Sequence, residues 1–125
     1  MLGSLEFATA VSGARLVLVL GHTSCGAIIS CIDREAVKAY NLINLDILLK
    51  NINPAVEEVL KPKEERSSTN KNLVDRATVN NVFHTLEKIR KNSPSLAKLE
   101  LEEKLLMVGG IYDIESGRVK WLKED

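Results

Sequence analysis

His22 and Cys25 are the two side chains whose types and spacing point most directly to chemistry. They lie in the stretch Gly21-His22-Thr23-Ser24-Cys25-Gly26. An imidazole nitrogen and a thiolate sulfur three positions apart in a tight turn can converge on one point, and tetrahedral zinc accepts such donors at about 2.0–2.3 Å. Gly21 and Gly26 flank the pair and are expected to let the backbone bend sharply there. Two donors are half of a zinc shell, and a histidine in a strand-to-helix turn is more often a hydrogen-bonded turn residue. Spacing alone therefore leaves both readings open.

Other donors in the chain are poorly placed to help. Cys31 follows Cys25 by six residues, which along a helix is roughly 9 Å of rise. It is expected to be a small packed residue rather than a ligand. His84 lies beside Phe83 in a long helical pattern and reads as a surface or boundary histidine. Asp33 and Arg34 read as a surface pair or a frayed, solvated end of little consequence for stability. Thr23 and Ser24 offer hydroxyls near a bound anion, although turn stabilisation is the plainer role.

The elements that must position these residues follow from periodicity. Residues 3–13 (GSLEFATAVSG) form an amphipathic pattern, with Ser4 as N-cap and Gly13 placed to end it. Residues 15–20 (RLVLVL) are a continuous apolar run, which suits a parallel strand covered on both faces. The Gly21–Gly26 turn would then leave the carboxyl end of that strand, where open α/β sheets bind ligands. Helices are expected from Gly26 to about Tyr40, over Ile43–Asn51, and from Pro54 onward as a first-turn residue. Residues 62–70 (PKEERSSTN) read as an exposed loop. The longest helical pattern covers Lys71–Lys91, with Leu73, Ala77, Val82, Phe83, Leu86 and Ile89 on one face. Asn92-Ser93-Pro94 breaks it, and Ser95–Glu103 gives a short helix. Residues 105–112 form a second strand, Glu115-Ser116-Gly117 a turn, and residues 118–122 (RVKWL) an alternating antiparallel edge strand. The fold class is α/β: a small parallel sheet flanked by helices, with a C-terminal antiparallel edge strand.

Composition bounds the function. The chain has 125 residues, 45% hydrophobic and 27% charged, the balance of one globular domain over residues 1–125. Lys plus Arg and Asp plus Glu are 17 each, so no net field draws the chain to nucleic acid. The longest apolar stretch, Leu16–Leu20, is far too short to cross a bilayer. Two cysteines and no secretory signal point to a reducing, cytoplasmic setting.

Three stretches taken in order resemble one family. These are LGSLEFA (2–8), LVLVLGHTSCGAI (16–28) and VGGIYDIESGRVKWL (108–122). They are similar to the helix, the strand with its G-H-x-x-C-G-A turn, and the closing strand pair of the β-class carbonic anhydrases. NLVDRATVNNVFHTL (72–86) resembles the family's long helix. The resemblance implies reversible hydration of carbon dioxide to bicarbonate by a zinc-bound water deprotonated near neutral pH. It makes His22 and Cys25 two of the zinc ligands, with Gly21 and Gly26 shaping the turn. Tyr112 and Asp113 match the closing strand, and with Gly109 and Gly110 they are expected to serve packing.

The resemblance also implies an absence. The family's further zinc-binding cysteine belongs to an upstream C-x-D-x-R segment, and this chain begins after that point. It is accordingly expected to be truncated at its N-terminus, without that strand or the helices that embrace a dimer partner. Cys31-Ile32-Asp33-Arg34 is a superficial substitute at best. Three expectations follow from this: a zinc site that is only partial, weak or no activity for this chain alone, and a homodimer or higher homo-oligomer. The alternative is a catalytically dead scaffold or oligomerisation module of the same descent, with structural zinc or none. Two chains could in principle close a Cys2His2 site with His22 and Cys25 from each. A small anion-binding module built on the Gly21–Gly26 turn is a further reading, without a phosphate-loop motif to support it.

Overall fold

A computed structural model describes residues 1–124. In chain order the elements are α1 (Leu2–Glu6), a π-helical turn (Phe7–Val11), β1 (Leu16–His22), α2 (Gly26–Ile32), α3 (Arg34–Lys38), α4 (Ile43–Val59), α5 (Lys71–Asn92), α6 (Pro94–Leu101), β2 (Leu106–Tyr112) and β3 (Val119–Leu122). The sheet order is β1-β2-β3. β1 and β2 are parallel, with Leu16 opposite Leu106 and His22 opposite Tyr112. β2 and β3 are antiparallel, with Gly110 opposite Trp121. The α/β class and the closing antiparallel strand are as the sequence predicts.

The first helical pattern divides. Thr9 Oγ1 donates to the Leu5 carbonyl at 2.8 Å, and the Ser12 N–H reaches back five residues to Phe7 O at 2.9 Å. Such side-chain competition for a helical carbonyl accompanies widened turns. Ser4 lies inside α1 and caps nothing, whereas Gly13 does end the segment with φ +77°.

Two expected helices fuse into α4. Pro54 lies inside it, although proline removes one backbone hydrogen bond and costs a helix interior about 3 kcal/mol. The apolar face Leu49, Ile52 and Val56 runs unbroken past Pro54, and all three are buried. Burial of each is worth about 1.5–3 kcal/mol, so the sum outweighs the lost bond. Conversely, the single helix expected over Gly26–Tyr40 breaks at Asp33, which accepts hydrogen bonds from the Ser68 N–H at 3.0 Å and from the Ser68 hydroxyl. The neighbouring Arg34 pairs with Asp46 at 2.9 Å. Neither residue of that pair is a frayed end.

The segment between α4 and α5 is tied down more firmly than an exposed loop. Arg66 donates to the Cys31 and Ile32 carbonyls at 3.0 and 3.1 Å and to Asn53 Oδ1 at 2.9 Å. It thereby satisfies the last carbonyls of α2, at the end where a cation also suits the helix dipole. α5 begins as expected, with the Asn70 side chain accepting from the Leu73 N–H at 3.2 Å.

α5 joins two buried clusters. Its first half contributes Leu73, Val74 and Ala77 to a core shared with Ile28, Cys31, Leu49 and Val56. Its second half contributes Val82, Leu86 and Ile89 to a core shared with Val17, Met107 and Leu105. The helix lies close on the sheet because Gly21 and Gly109 lack side chains. A Cβ on Gly109 would stand 2.7 Å from Val82 Cγ1, and one on Gly21 2.9 Å from Val82 Cγ2. Gly109 thus has the packing role expected of it. Gly110 points to the other face, between Leu20 and Val119.

The expectation that β1 is covered on both faces fails. Val17 is buried, but Leu16, Leu18 and Leu20 are 38–53% exposed. An apolar run records what each residue tolerates, and all the helix packing falls on the face carrying Val17, Val19 and Gly21. β1 is also an edge. The Leu106 N–H bonds the Arg15 carbonyl and the Thr23 N–H bonds the Tyr112 carbonyl. Those bonds turn the odd-numbered residues of β1 toward β2, so Leu16, Leu18 and Leu20 present their backbone groups to the open edge.

Candidate metal centre

His22 is the last residue of β1 and is exposed at the carboxyl end of the sheet. Its Nδ1 lies 2.9 Å from the carbonyl of Thr23. A carbonyl only accepts, so in the neutral ring Nδ1 carries the proton and Nε2 keeps its lone pair. That tautomer leaves Nε2 available to a metal, with the other nitrogen oriented by a hydrogen bond.

Cys25 ends the turn. It flanks α2 in an extended conformation (φ −65°, ψ 115°), and its carbonyl accepts from the Ile29 N–H at 3.0 Å. It is half-buried against the first core and is not in a disulfide. The turn owes its shape to Ser24, whose φ is +53°, rather than to the flanking glycines. Neither Gly21 nor Gly26 has a positive φ. Gly21 is needed for the approach of α5, and a Cβ on Gly26 would meet nothing within 4 Å.

Thr23 braces the turn against the β2–β3 connection. Its N–H donates to Tyr112 O at 3.0 Å, and its Oγ1 accepts from the Ile114 N–H at 3.1 Å. This is the turn-stabilising role expected of it. Asp113, next to Tyr112, is engaged with its own turn. Its carboxylate accepts from the Ser116 hydroxyl at 2.6 Å and the Glu115 N–H at 3.0 Å. These bonds hold its carboxyl below the usual aspartate range.

The remaining donors are elsewhere. Cys31 is fully buried and its Sγ faces the Leu49 carbonyl at 3.5 Å. Burial pushes its thiol pKa up. His84 Nε2 lies 2.5 Å from Glu58 Oε2. Among the described residues no group of three or more His, Cys, Asp or Glu side chains is arranged to hold a metal ion. The donor types of His22 and Cys25 suit zinc, but their number does not complete a shell. Sequence reasoning missed the Arg66 and Asn53 contacts behind α2, because residues 35 positions apart in the chain carry no local signal of meeting.

Comparisons with known proteins agree with this architecture. The family model described as carbonic anhydrase matches residues 1–119. The β-carbonic anhydrase CafA of Aspergillus fumigatus superposes with a TM-score of 0.78 at 26% identity, over 98% of this chain and 56% of its own. Two tetrameric β-carbonic anhydrases of Sordaria macrospora are represented by a structure with TM-score 0.74 and 24% identity, over 98% of this chain and 59% of its own. The β-carbonic anhydrase CcaA gives 0.73 and 18%, over 98% and 57%. No curated protein sequence matches the chain. The chain thus spans somewhat more than half the length of the solved structures it matches. No helix among the described residues is long and apolar enough to cross a membrane. On the match over residues 1–119 and the shared fold, the chain belongs to the β-class carbonic anhydrase family.

Proposed function

We propose that this chain is a single β-carbonic-anhydrase-like domain carrying half of a zinc site, His22 and Cys25, and that alone it hydrates carbon dioxide feebly or not at all. The observation that carries the reading is the pair itself: an imidazole whose Nδ1 is hydrogen-bonded at the end of β1 and a free thiol across the following turn, with no third His, Cys, Asp or Glu grouped with them among the described residues. A two-donor site holds zinc weakly, and a loosely held cation has little control over a bound water. No catalytic step follows from these residues alone. The incomplete shell also supports the second reading, a scaffold whose role is assembly rather than catalysis. Self-association is expected under either reading, given the open edge of β1 and the tetramers named for the Sordaria relatives.

Zinc per chain, measured on purified protein beside His22→Ala and Cys25→Ala, tests the half-site. Weak binding lost in both variants is the expected result. Stoichiometric, tightly held zinc would mean a completed shell and would make a carbon dioxide hydration assay decisive. About one zinc per two chains would assign the shell to two copies. Zinc unaffected by either substitution would remove both residues from the site.

A further inference from the structure

The side of the sheet away from α5 is an uncovered apolar surface. The strand register places residues 16, 18, 20 and 22 beside 106, 108, 110 and 112, and these beside 119 and 121. None of these ten positions holds Asp, Glu, Lys or Arg. Leu106 and Trp121 are 59% and 60% exposed, with Leu16, Leu18, Leu20 and Tyr112 between 37% and 53%. Together these side chains expose on the order of 600 Å², the upper end of the largest apolar patch found on ordinary monomers.

We propose that this face is the contact between two copies of the chain, stacked sheet on sheet. The inference deepens the self-association expected above and rests on it, but needs neither zinc nor activity. Two such patches apposed about a twofold axis remove roughly 1,200 Å² from water, the lower limit for a specific stable interface. A twofold contact is self-complementary, so one uncharged patch suffices on both sides. Net charge does not oppose the approach, because 17 basic residues balance 17 acidic ones. The face itself carries no basic side chain to hold an anionic lipid headgroup, its only ionisable side chains being His22 and Tyr112. Packed sheets stand about 10 Å apart with interdigitated side chains. Leu20 on β1 and Val119 on β3 both close over Gly110, which is itself buried, so the apolar surface runs unbroken across the three strands.

The test is the concentration dependence of mass in equilibrium sedimentation, with a chelator present to remove metal bridging. The wild type is expected to form a dimer that dissociates on dilution. Trp121→Glu and Leu106→Lys are expected to weaken it at least about tenfold, with far-ultraviolet circular dichroism unchanged because both side chains are already exposed. Leu101→Lys is the control, on a side chain 85% exposed at the end of α6, and is expected to leave the dimer intact. A wild type that stays monomeric at all concentrations would overturn both the self-association and this face. A dimer that survives both face substitutions would overturn the face alone. In that case slow amide exchange at Leu18 and Leu20 would assign the contact to the open edge of β1.

Discussion

Gly21 and Gly26 stand on either side of the same turn and do different things. A methyl group on Gly21 would meet Val82 Cγ2 at 2.9 Å and Thr78 Cγ2 at 3.3 Å, both on α5. Gly26, the first residue of α2, faces open space. Gly21→Ala is therefore expected to cost about 1–3 kcal/mol, the usual price of overpacking. Gly26→Ala should change stability little or raise it by up to about 1 kcal/mol, through the unfolded chain. Urea unfolding of the two variants checks this, and equal losses would refute the assignment. The sequence marks both glycines as flanking a turn, and it cannot distinguish them. The difference lies in a helix some sixty residues away along the chain. His22 and Cys25 were legible for the opposite reason: their relation is local. Ser24, which holds the left-handed turn conformation, gave no sign of it, because serine is not a residue type that marks that conformation.

Besides Arg66 and Ser68, one carboxylate gathers several contacts of the link between α4 and α5. Glu64 accepts from the Lys61 N–H at 2.9 Å, from Arg76, and from Asn70 Nδ2 at 3.1 Å. The Lys61 N–H, then Arg76, hold its carboxyl down to about 2 against an ordinary 4.5. The unfolded chain therefore binds the extra proton first as pH falls, so this contribution is full above about 4.5 and lost toward 2. Glu64→Gln is expected to be less stable than wild type at neutral pH, with the difference shrinking as pH falls through that window. Denaturant melts across the range test it; a difference independent of pH would mean the carboxylate is not bonded as described. At this scale the sequence predicts α5 and its break almost to the residue, since the apolar spacing and the Asn-Ser-Pro stop are local. It divides α4 at Pro54, because proline chemistry is local whereas the burial of Ile52 and Val56 that overrides it is not.

At the scale of the whole molecule the cores sit around α5, and the candidate ligands sit at the rim of the sheet. Val17, Val82, Leu86 and Met107 form one buried cluster and Ile28, Leu49 and Leu73 belong to the other, all of them apolar side chains. The open sheet face was hidden from the sequence, since Leu16–Leu20 reads the same whether one side or both are covered. This arrangement separates stability from metal. Structural zinc that closes a four-ligand shell supplies about 10–16 kcal/mol of folding free energy in zinc-finger peptides. On the half-site proposed above, His22 and Cys25 hold zinc weakly, and the stabilisation that follows by mass action is small. Zinc at a concentration equal to its dissociation constant would stabilise the chain by about 0.4 kcal/mol. For a domain of this size that moves the melting temperature by roughly 1–3 °C. Thermal unfolding with chelator and with zinc at one fixed concentration, set near the dissociation constant expected of a two-donor site, should therefore give nearly coincident curves, and His22→Ala should remove the small remaining difference. A rise of ten degrees or more under those conditions would show that the fold closes a full shell around the ion. The stability of this half-length β-carbonic-anhydrase fold would then be inseparable from its metal.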